Sequence, residues 1–481
     1  MRSGRAIVVV LAVWTLGAQT SAFHSAIGDE RAVQTHIRQK DIEAGAWTFK
    51  ALRLAGQHLF DARFTVLDGA GRPGTTGDPN PTRRTFGGSP QFVRTSGPDA
   101  NSCSACHNQP RSGGAGDFVA NVFVGLQNQE PVVLTVEPLL SAERNSTSLF
   151  GAGAIEMLAR EMTADLHQAR DSAIREARAA EQSVRVELKT KGISFGFLTA
   201  TREGSVRAQE IAGVDKDLVI RPWSQKGVVT SLRTFTVTAL NQHHGMQAVE
   251  RYGIRLTGSE DFDRDGVKDE LTEGDVTALV VYQASLPVPG QVLPHSPGDR
   301  RAVEEGERLF SATGCNVCHV PQLVLNRPVF SEPGPYNLEG TMRLIEAVKP
   351  FEFDLTRQLQ APRLERRRDG RAVVRAFTDL KRHRICDTEK PFYCNENLGQ
   401  GGFAPTDEFL TKRLWDVGST SPYGHRGDLT TLREAILHHG GEARDARLAF
   451  ESLTSDGQRM IIAFLKTLQI LPEGSQRVVG R

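Results

Sequence analysis

Apolar residues recur with helical spacing in four stretches of the chain, two in each half of the sequence. The helices that this spacing predicts cover residues 42–60 and 275–285 in the first half, and residues 302–310 and 456–468 in the second. The first helix of each pair carries a glycine followed four positions later by phenylalanine, at Gly56 and Phe60 and again at Gly306 and Phe310. The pattern therefore predicts a mainly helical protein whose two halves share one plan.

A proline-rich stretch separates the two helix pairs. Residues 286–297 contain four prolines, and this composition is typical of an interdomain linker. The predicted units are a signal peptide over residues 1–22, an N-terminal domain over 23–287, a linker over 288–300 and a C-terminal domain over 301–481.

The first residues have the features of a secretory signal. Arg2 and Arg5 precede an apolar run over residues 6–18, and small residues at 20–22 offer a cleavage site before Phe23. An uncleaved anchor is the alternative, but the run is short for a membrane span and no other segment is long and apolar enough to be one. We expect an exported, soluble protein located in the periplasm.

The near-zero net charge of the chain argues against one class of partner. The 481 residues include 58 Lys and Arg against 57 Asp and Glu, a formal net charge of +1. Loss of the two signal arginines would bring the charge to about −1, so nucleic acid is not an expected partner.

Two copies of Cys-x-x-Cys-His give the strongest chemical signal. They comprise Cys103, Cys106 and His107 in the first half, and Cys315, Cys318 and His319 in the second. In c-type cytochromes the two thiols bond to the vinyl groups of haem, and the histidine binds the iron from the proximal side. Zinc sites and thioredoxin-like redox sites also contain C-x-x-C, but the histidine that ends both copies favours haem. We predict two covalently bound haems.

The position of the motifs favours a known small fold. The helix over residues 302–310 leads directly to Cys315, as in a cytochrome c domain whose first helix ends at the haem. In the first half a segment of about forty residues, rich in Gly, Pro and Thr, intervenes before Cys103. We therefore predict a mainly α fold of two tandem cytochrome c-like domains with long loop insertions.

The two remaining cysteines, Cys386 and Cys394, lie close together in one proline-containing loop. In an oxidising compartment such a pair is expected to form a disulfide. Free thiols and a third metal site are the alternatives, although no nearby cysteine or regular histidine spacing supports a metal there.

A finer repeat lies late in each half at an offset of 200 residues, where residues 222–227 align with residues 422–427. His425 in the second copy is a candidate sixth ligand of the second haem, whereas the aligned residue in the first copy is Gln225. Because an amide is a poor iron ligand, we predict a six-coordinate second haem and a first haem with an open face. The alternative is that His425 is a turn histidine bonded to backbone. Other candidate ligands are His244, Met246, Tyr423, His438 and His439.

With these features the chain resembles the di-haem cytochrome c peroxidase superfamily, and within it the di-haem oxidoreductases often described as thiol oxidoreductases or peroxidases. The resemblance covers nearly all of the chain after the signal. It rests on both haem motifs and on residues 149–156, 221–223, 226–227, 245–247, 274–279, 422–427 and 439–442.

The resemblance implies a mechanism. In this superfamily one haem receives electrons from a small donor protein, a cytochrome or cupredoxin, and the other reduces hydrogen peroxide. Glu156 matches the distal glutamate that moves protons in the better-known peroxidases. Glu161 is the second candidate for this role. The alternative is that Glu156 is only a solvated carboxylate at the start of a helix. The chain departs from several members at Gly424, where they have methionine or an aromatic residue, and in the long loop before Cys103.

A candidate calcium loop follows the first repeat. Asp261, Asp263 and Asp265 form a D-x-D-x-D-G run with Asp269 at the ninth place, which supplies oxygen ligands around a tight turn. The twelfth place is Thr272 rather than the usual bidentate glutamate. The superfamily tends to hold a calcium near its haems, while an ordinary acidic turn is the alternative.

Three functions compete on this basis. The favoured one is a peroxidase in which the second haem passes electrons to an open first haem. A pure electron-transfer di-haem cytochrome would have a sixth ligand on both irons. An oxygenase or maturation enzyme acting on a larger substrate would combine an open site with poor peroxidase turnover. Trp223 and Trp415 are candidate electron relays between the haems, or simply core residues.

Overall fold

The computed structural model describes residues 30–71, 100–116, 119–121, 143–394, 405 and 407–480. The predicted signal peptide, its cleavage site before Phe23 and most of the long loop before Cys103 lie outside these residues. None of the helices in the described ranges has the length and apolar character needed to cross a membrane.

Helices in the described part of the chain range from one turn to 28 residues. They are α1 Gln39–Glu43, α2 Phe49–Asp61, α3 Cys103–Cys106, α4 Ala152–Ala179, α5 Leu232–Ala239, α6 Val249–Tyr252, α7 Ile254–Thr257, α8 Glu273–Ala284, α9 Pro297–Ala312, α10 Leu432–Leu437, α11 Arg444–Ser452 and α12 Ser455–Thr467. Short 3-10 turns cover Cys315–Val317, Leu344–Glu346, Phe392–Cys394, Val417–Ser419 and Gly441–Ala443, and a π-helical turn covers Leu240–His244. The four helices expected from the apolar spacing are present as α2, α8, α9 and α12, although α2 begins at Phe49 and residues 44–48, predicted as helix, separate it from α1.

Hydroxyl side chains fix where these four helices begin. Thr48, Thr272, Ser296 and Thr454 each accept a hydrogen bond from the backbone N–H three residues later, at the start of α2, α8, α9 and α12. Such caps satisfy backbone donors that the first helical turn leaves without a partner.

Strands occupy much of the chain between the helices. They are β1 Val119–Asn121, β2 Glu143–Asn145, β3 Val184–Thr190, β4 Ile193–Ala200, β5 Val206–Ile211, β6 Gly290–Val292, β7 Leu323–Leu325, β8 Val329–Glu332, β9 Phe351–Asp354, β10 Glu365–Arg366, β11 Ala372–Val374, β12 Arg382–Arg384, β13 Glu408–Leu410, β14 Leu468–Gln469 and β15 Val479–Gly480. They form small sheets with the orders β1-β2, β3-β4-β5, β10-β11-β7, β12-β13, β14-β6-β15 and β8-β9. All pairs are antiparallel except β15 with β6.

The prediction of a mainly α fold is therefore wrong. Helix makes up 37% and strand 15% of the structure, which makes it a mixed α/β protein rather than a helical cytochrome fold. The physical reason is the length of the insertions between the helices, since a peptide backbone buried there must pair its N–H and C=O groups and does so in short ladders.

Each half is closed by one pair of crossing helices. A Cβ atom on Gly56 of α2 would lie 1.9 Å from the backbone oxygen of Ala278 in α8. A Cβ atom on Gly306 of α9 would lie equally close, 1.9 Å, to the backbone oxygen of Met460 in α12. Only glycine permits such an approach, so the repeated glycine marks the crossing point in both halves.

The apolar core does not follow the predicted division of the chain. One cluster joins α2, α4 and α8 of the first half to β7, β8, β9 and β11 of the second. A smaller cluster holds α9, α11 and α12 around Phe310 and Phe464. The domain boundaries stay a prediction, and the strands that follow the second haem motif pack against the first half.

The late repeat at an offset of 200 residues is also present in the backbone. Trp223 forms an isolated antiparallel bridge with Val229, and Tyr423 forms the same bridge with Leu429. The predicted disulfide is confirmed as well, since Cys386 is bonded to Cys394 with their Cα atoms 5.6 Å apart.

Candidate haem sites

The first motif lies on the short helix α3. The Ser102 hydroxyl caps this helix by accepting a hydrogen bond from the N–H of Ala105 at 3.1 Å. His107 follows directly, and its Nδ1 lies 3.2 Å from the backbone oxygen of Gly114. The ring of Phe60, from α2, is 6.3 Å from that of His107. Burial lowers the pKa of His107 to about 4, so the imidazole is neutral at ordinary pH.

The second motif lies on the 3-10 turn Cys315–Val317 rather than on an α-helix, but its histidine makes the same kinds of contact. His319 Nδ1 lies 3.2 Å from the backbone oxygen of Phe377. The ring of Phe310, from α9, is 6.4 Å from that of His319. Burial lowers the pKa of His319 to about 4. In both motifs the backbone contact at Nδ1 orients the ring and leaves Nε2 as the metal-binding nitrogen, which is the form an iron ligand takes.

The thiols do not fit a thioredoxin-like pair. All four motif cysteines are free. A reactive redox cysteine needs a lowered thiol pKa. Here burial raises the pKa of Cys103 to about 12 and also raises the pKa of Cys106 and Cys315.

Zinc is not supported either. At the first motif, the described residues do not form a group of three or more metal-binding side chains. At the second, Cys318 lies close to Asp379 and His383, but both His383 nitrogens already face carboxylates, at 2.8 Å from Asp379 and 2.7 Å from Glu442. A structural zinc site requires four committed ligands.

A cavity of about 520 Å³ opens beside the second motif. Cys315, Cys318 and His319 form part of its wall, and the volume is in the range of sites for cofactors and small ligands. A largely apolar cavity with two thiols and a neutral histidine on its wall fits a covalently attached haem. These three residues would hold the group, which supplies a redox-active iron when bound.

Three of the candidate sixth ligands line this cavity. His425 is 4% exposed, lines the cavity and packs its ring 4.9 Å from that of Phe409. His439 also lines the cavity, with its Nδ1 2.7 Å from the Ala435 oxygen. Tyr423 lines it too, but its hydroxyl donates to the Val417 oxygen at 3.1 Å.

The other candidate ligands lie elsewhere. His438 stacks on Phe392, with ring centroids 4.3 Å apart. His244 belongs to the first motif, where its Nε2 is 3.7 Å from Cys103 Sγ and its Nδ1 is 2.6 Å from the Ala100 oxygen. Met246 is fully buried nearby.

Gln225 lies at the cavity beside the second motif. It lines the same cavity as His425, and its side-chain oxygen accepts a hydrogen bond from Lys412 Nζ at 3.3 Å. Its amide nitrogen donates to the Asn145 oxygen at 3.5 Å. The placement of Gln225 therefore gives no support to the reasoning that it leaves the first haem with an open face.

Glu156 is completely buried near the start of α4. One carboxylate oxygen accepts a hydrogen bond from Arg160 at 2.6 Å, and the other accepts from Trp223 Nε1 at 3.1 Å and from the N–H of Leu232 at 2.6 Å. Glu156 is not among the residues that line the cavity. The fallback, Glu161, accepts from Lys191 at 2.6 Å and holds two backbone N–H groups of a neighbouring loop.

Glu156 belongs to a larger buried ionic network. Arg160 lies 3.9 Å from Glu332, which in turn accepts a hydrogen bond from Arg233 at 3.0 Å. Arg233 also donates to Glu250 at 2.5 Å. Burial raises the pKa of Glu332 to about 7, although the two arginines oppose that rise. The network joins α4, α5, α6 and β8.

Charged residues on the cavity wall were not predicted from the sequence. Lys412 and Arg413 both line it, together with Asp416. Burial lowers the pKa of Lys412 to about 7. Trp415 is 2% exposed, and its ring lies so close to Gly151 that a Cβ atom at that position would clash with it. The only sequence signal was two cations, a tryptophan and an aspartate within five residues.

The candidate calcium loop brings three of its four predicted ligands together. Asp261, Asp263 and Asp265 each offer an oxygen, and these atoms lie within 4.8 Å of one another. Asp269 is not a member of this group. Glu270, which the sequence pattern did not indicate, is 4% exposed, and burial followed by the charge of Asp263 raises its pKa well above the usual range.

Comparisons with known proteins give little guidance. No family model and no curated protein matches the chain. The structure of Kuenenia stuttgartiensis hydrazine synthase pressurized with xenon aligns with 40% of this chain and 55% of its own at 16% identity and a TM-score of 0.22, so the chain spans about half of it. A MauG-like protein associated with microbial copper homeostasis aligns with 56% of this chain and 78% of its own at 14% identity and a TM-score of 0.26. Similarity at this level carries no argument, so function rests on the site residues.

Proposed function

We propose that the protein is an exported, periplasmic di-haem c-type oxidoreductase that reduces hydrogen peroxide with electrons from a small donor protein, a cytochrome or cupredoxin. The observation that carries the proposal is the shared structure of the two motifs. Both present two free thiols followed by a neutral histidine whose Nδ1 faces a backbone oxygen, packed on a phenylalanine from the glycine-marked helix. The features that recur in both halves are the two thiols and the neutral histidine that covalent attachment of haem requires.

The overall reaction sets what the protein must supply. Reduction of one hydrogen peroxide to two waters consumes two electrons and two protons. The donor protein would supply the electrons one at a time, and bound haem would supply the redox-active irons that accept them. His107 and His319 would act as proximal ligands, and His425 as the sixth ligand on the second haem.

The ligand assignment can be tested with a matched pair of variants. We expect the fully oxidised protein to give one high-spin and one low-spin ferric signal in electron paramagnetic resonance, because His425 binds one iron and the other keeps an open face. The variant His425→Ala should convert the low-spin signal to high-spin, whereas His439→Ala should leave it unchanged. If only His439→Ala converts the low-spin signal to high-spin, the sixth ligand is His439 rather than His425.

The same spectra separate the competing functions. Two low-spin signals in the wild type that persist after one-electron reduction would favour an electron-transfer cytochrome. An open haem combined with failure of peroxide to oxidise the reduced donor would favour an oxygenase or maturation enzyme with a larger substrate. Absence of covalent haem would end the proposal altogether.

We also propose that the loop over residues 261–270 binds one calcium ion through Asp261, Asp263, Asp265 and Glu270. Clustered carboxylates are the ligands that calcium prefers. Glu270 also accepts a hydrogen bond from the N–H of Gln247 at 2.7 Å, which ties the loop to the turn that carries His244 beside the first motif.

Glu270 gives this proposal a pH-dependent test. Its folded pKa is raised above the unfolded value, so its contribution to stability is present at low pH and is lost as pH rises through the folded pKa. In the presence of a chelator, the variant Glu270→Gln should therefore gain stability relative to the wild type as pH rises from the usual carboxyl range towards neutrality. Calcium should reverse that order by binding the wild type more tightly, as measured by thermal unfolding with and without CaCl₂. If calcium stabilises the wild type and Glu270→Gln equally, Glu270 is not a calcium ligand.

A further inference from the structure

Arg413 is a buried cation on the wall of the second haem cavity. Its side chain is 9% exposed, and its Nη2 donates a hydrogen bond to the backbone oxygen of Ser148, from the first half of the chain. Its guanidinium carbon lies 5.9 Å from the ring centroid of Trp223. The Nε atom makes no hydrogen bond within the described residues. Arg413 therefore connects the cavity to the first half, and no ion pair with another described residue neutralises it directly.

A short chain of backbone contacts leads from Arg413 to the first motif. Ser148 is followed by Leu149, whose N–H donates to the Gly113 oxygen at 2.8 Å. The N–H of Gly113 in turn donates to the His107 oxygen at 2.8 Å. These contacts place the Arg413 guanidinium two backbone hydrogen bonds away from the first motif.

The charge around Arg413 is only partly balanced. Asp416 is the nearby anion, and one of its carboxylate oxygens is buried without a hydrogen bond in the described part of the chain. Lys412 lies on the same wall, but burial lowers its pKa to about 7, so it adds only part of a positive charge at neutral pH. Charges in a low-dielectric interior act over several ångströms with little screening, so this imbalance reaches both haem attachment sites.

We propose that Arg413 raises the reduction potential of the second haem, and to a smaller extent that of the first, by holding one buried positive charge between their attachment sites. A nearby fixed cation disfavours the oxidised iron, which carries one more positive charge than the reduced iron. The inference rests on the proposed function, because it requires haem on both motifs.

The experiment is a spectroelectrochemical titration of the purified full-length holoprotein and three variants at one pH. Arg413→Gln keeps a donor for the Ser148 oxygen and removes the charge, and should favour the oxidised second haem at least tenfold at a fixed ambient potential, a fall of about 59 mV. Asp416→Asn removes the partial neutralisation and should shift the potential in the opposite direction. Arg459→Gln, at an arginine that is 70% exposed on α12, is the charge-matched control and should leave both potentials unchanged.

The outcomes distinguish the inference from the proposed function. Arg413→Lys retains the charge and should restore most of the wild-type potential, which a purely structural role of the guanidinium would not allow. Unchanged potentials in both Arg413→Gln and Asp416→Asn, or shifts in the same direction, would overturn the role of Arg413 while two haems remain attached. A wild-type protein without covalent haem would instead refute the proposed function. If Arg413→Gln does not fold, the predicted rise in Asp416→Asn still decides the matter.

Discussion

Replacement of both Cys315 and Cys318 by alanine is expected to leave one covalent haem on a chain that otherwise carries two. The two thiols line the cavity beside His319 and are free to bond. The other half of the molecule has its own motif, so attachment there should continue. The measurement is the mass of the denatured protein together with its haem absorbance. A double variant that retains two covalent haems would contradict the assignment of the second motif.

The matched control removes the same number of cysteines from the same half. Cys386→Ala with Cys394→Ala breaks the disulfide but leaves both motifs intact, and should retain two haems. In the one-haem variant, oxidation of the reduced donor by peroxide should fall to the uncatalysed rate, because electrons no longer pass through the second iron. Full turnover with a single haem would refute the relay but not the attachment chemistry.

The second large effect concerns stability rather than electron transfer. Glu156→Gln should lower the free energy of unfolding by about 3–5 kcal/mol, the usual cost of removing one partner from a buried ion pair. The Glu156 carboxylate is fully buried and the Arg160 side chain is 7% exposed, so Arg160 would lose most of its neutralisation inside the protein. Urea unfolding of the holoprotein, with the midpoint and slope both fitted, measures this change.

The result also decides between two roles of Glu156. If the carboxylate acts as the proton-transfer group of the peroxidase, Glu156→Gln should abolish turnover even under conditions in which the variant stays fully folded. If it mainly positions Trp223 and Leu232 through its hydrogen bonds, stability should fall and residual turnover should remain at low temperature. Glu305→Gln, in an exposed ion pair on α9, is the control and should change neither property.

Part of the fold could be predicted because helical periodicity is a local signal. The four helices α2, α8, α9 and α12 follow from apolar residues at helical spacing, and Gly56 and Gly306 mark their crossing points. The strands were missed for two different reasons. Strands such as β7 and β11 hold only three residues, too few for a period to show. The β3 segment does alternate, with Val184, Val186 and Leu188 between polar residues, and this signal could have been used.

Some residues of the candidate site could likewise be predicted from the sequence, and others could not. The haem motifs and the disulfide are compact in sequence, so spacing alone identified them. Arg413 and Ser148 are in contact although they lie 265 positions apart, and no local pattern could indicate that pairing. The Gln225 argument assumed that aligned turns serve separate haems, whereas both turns contribute to one cavity.

The helix crossing at Gly306 has a consequence for how the protein is made. The chain emerges in order, so Cys315 and Cys318 leave the ribosome long before α12, which must cover Gly306 to close the second half. Until then the motif is an accessible peptide with two reduced thiols. If the protein carries haem as proposed, the interval between these two events would give the cell time to attach it covalently to an open chain, before folding encloses the porphyrin.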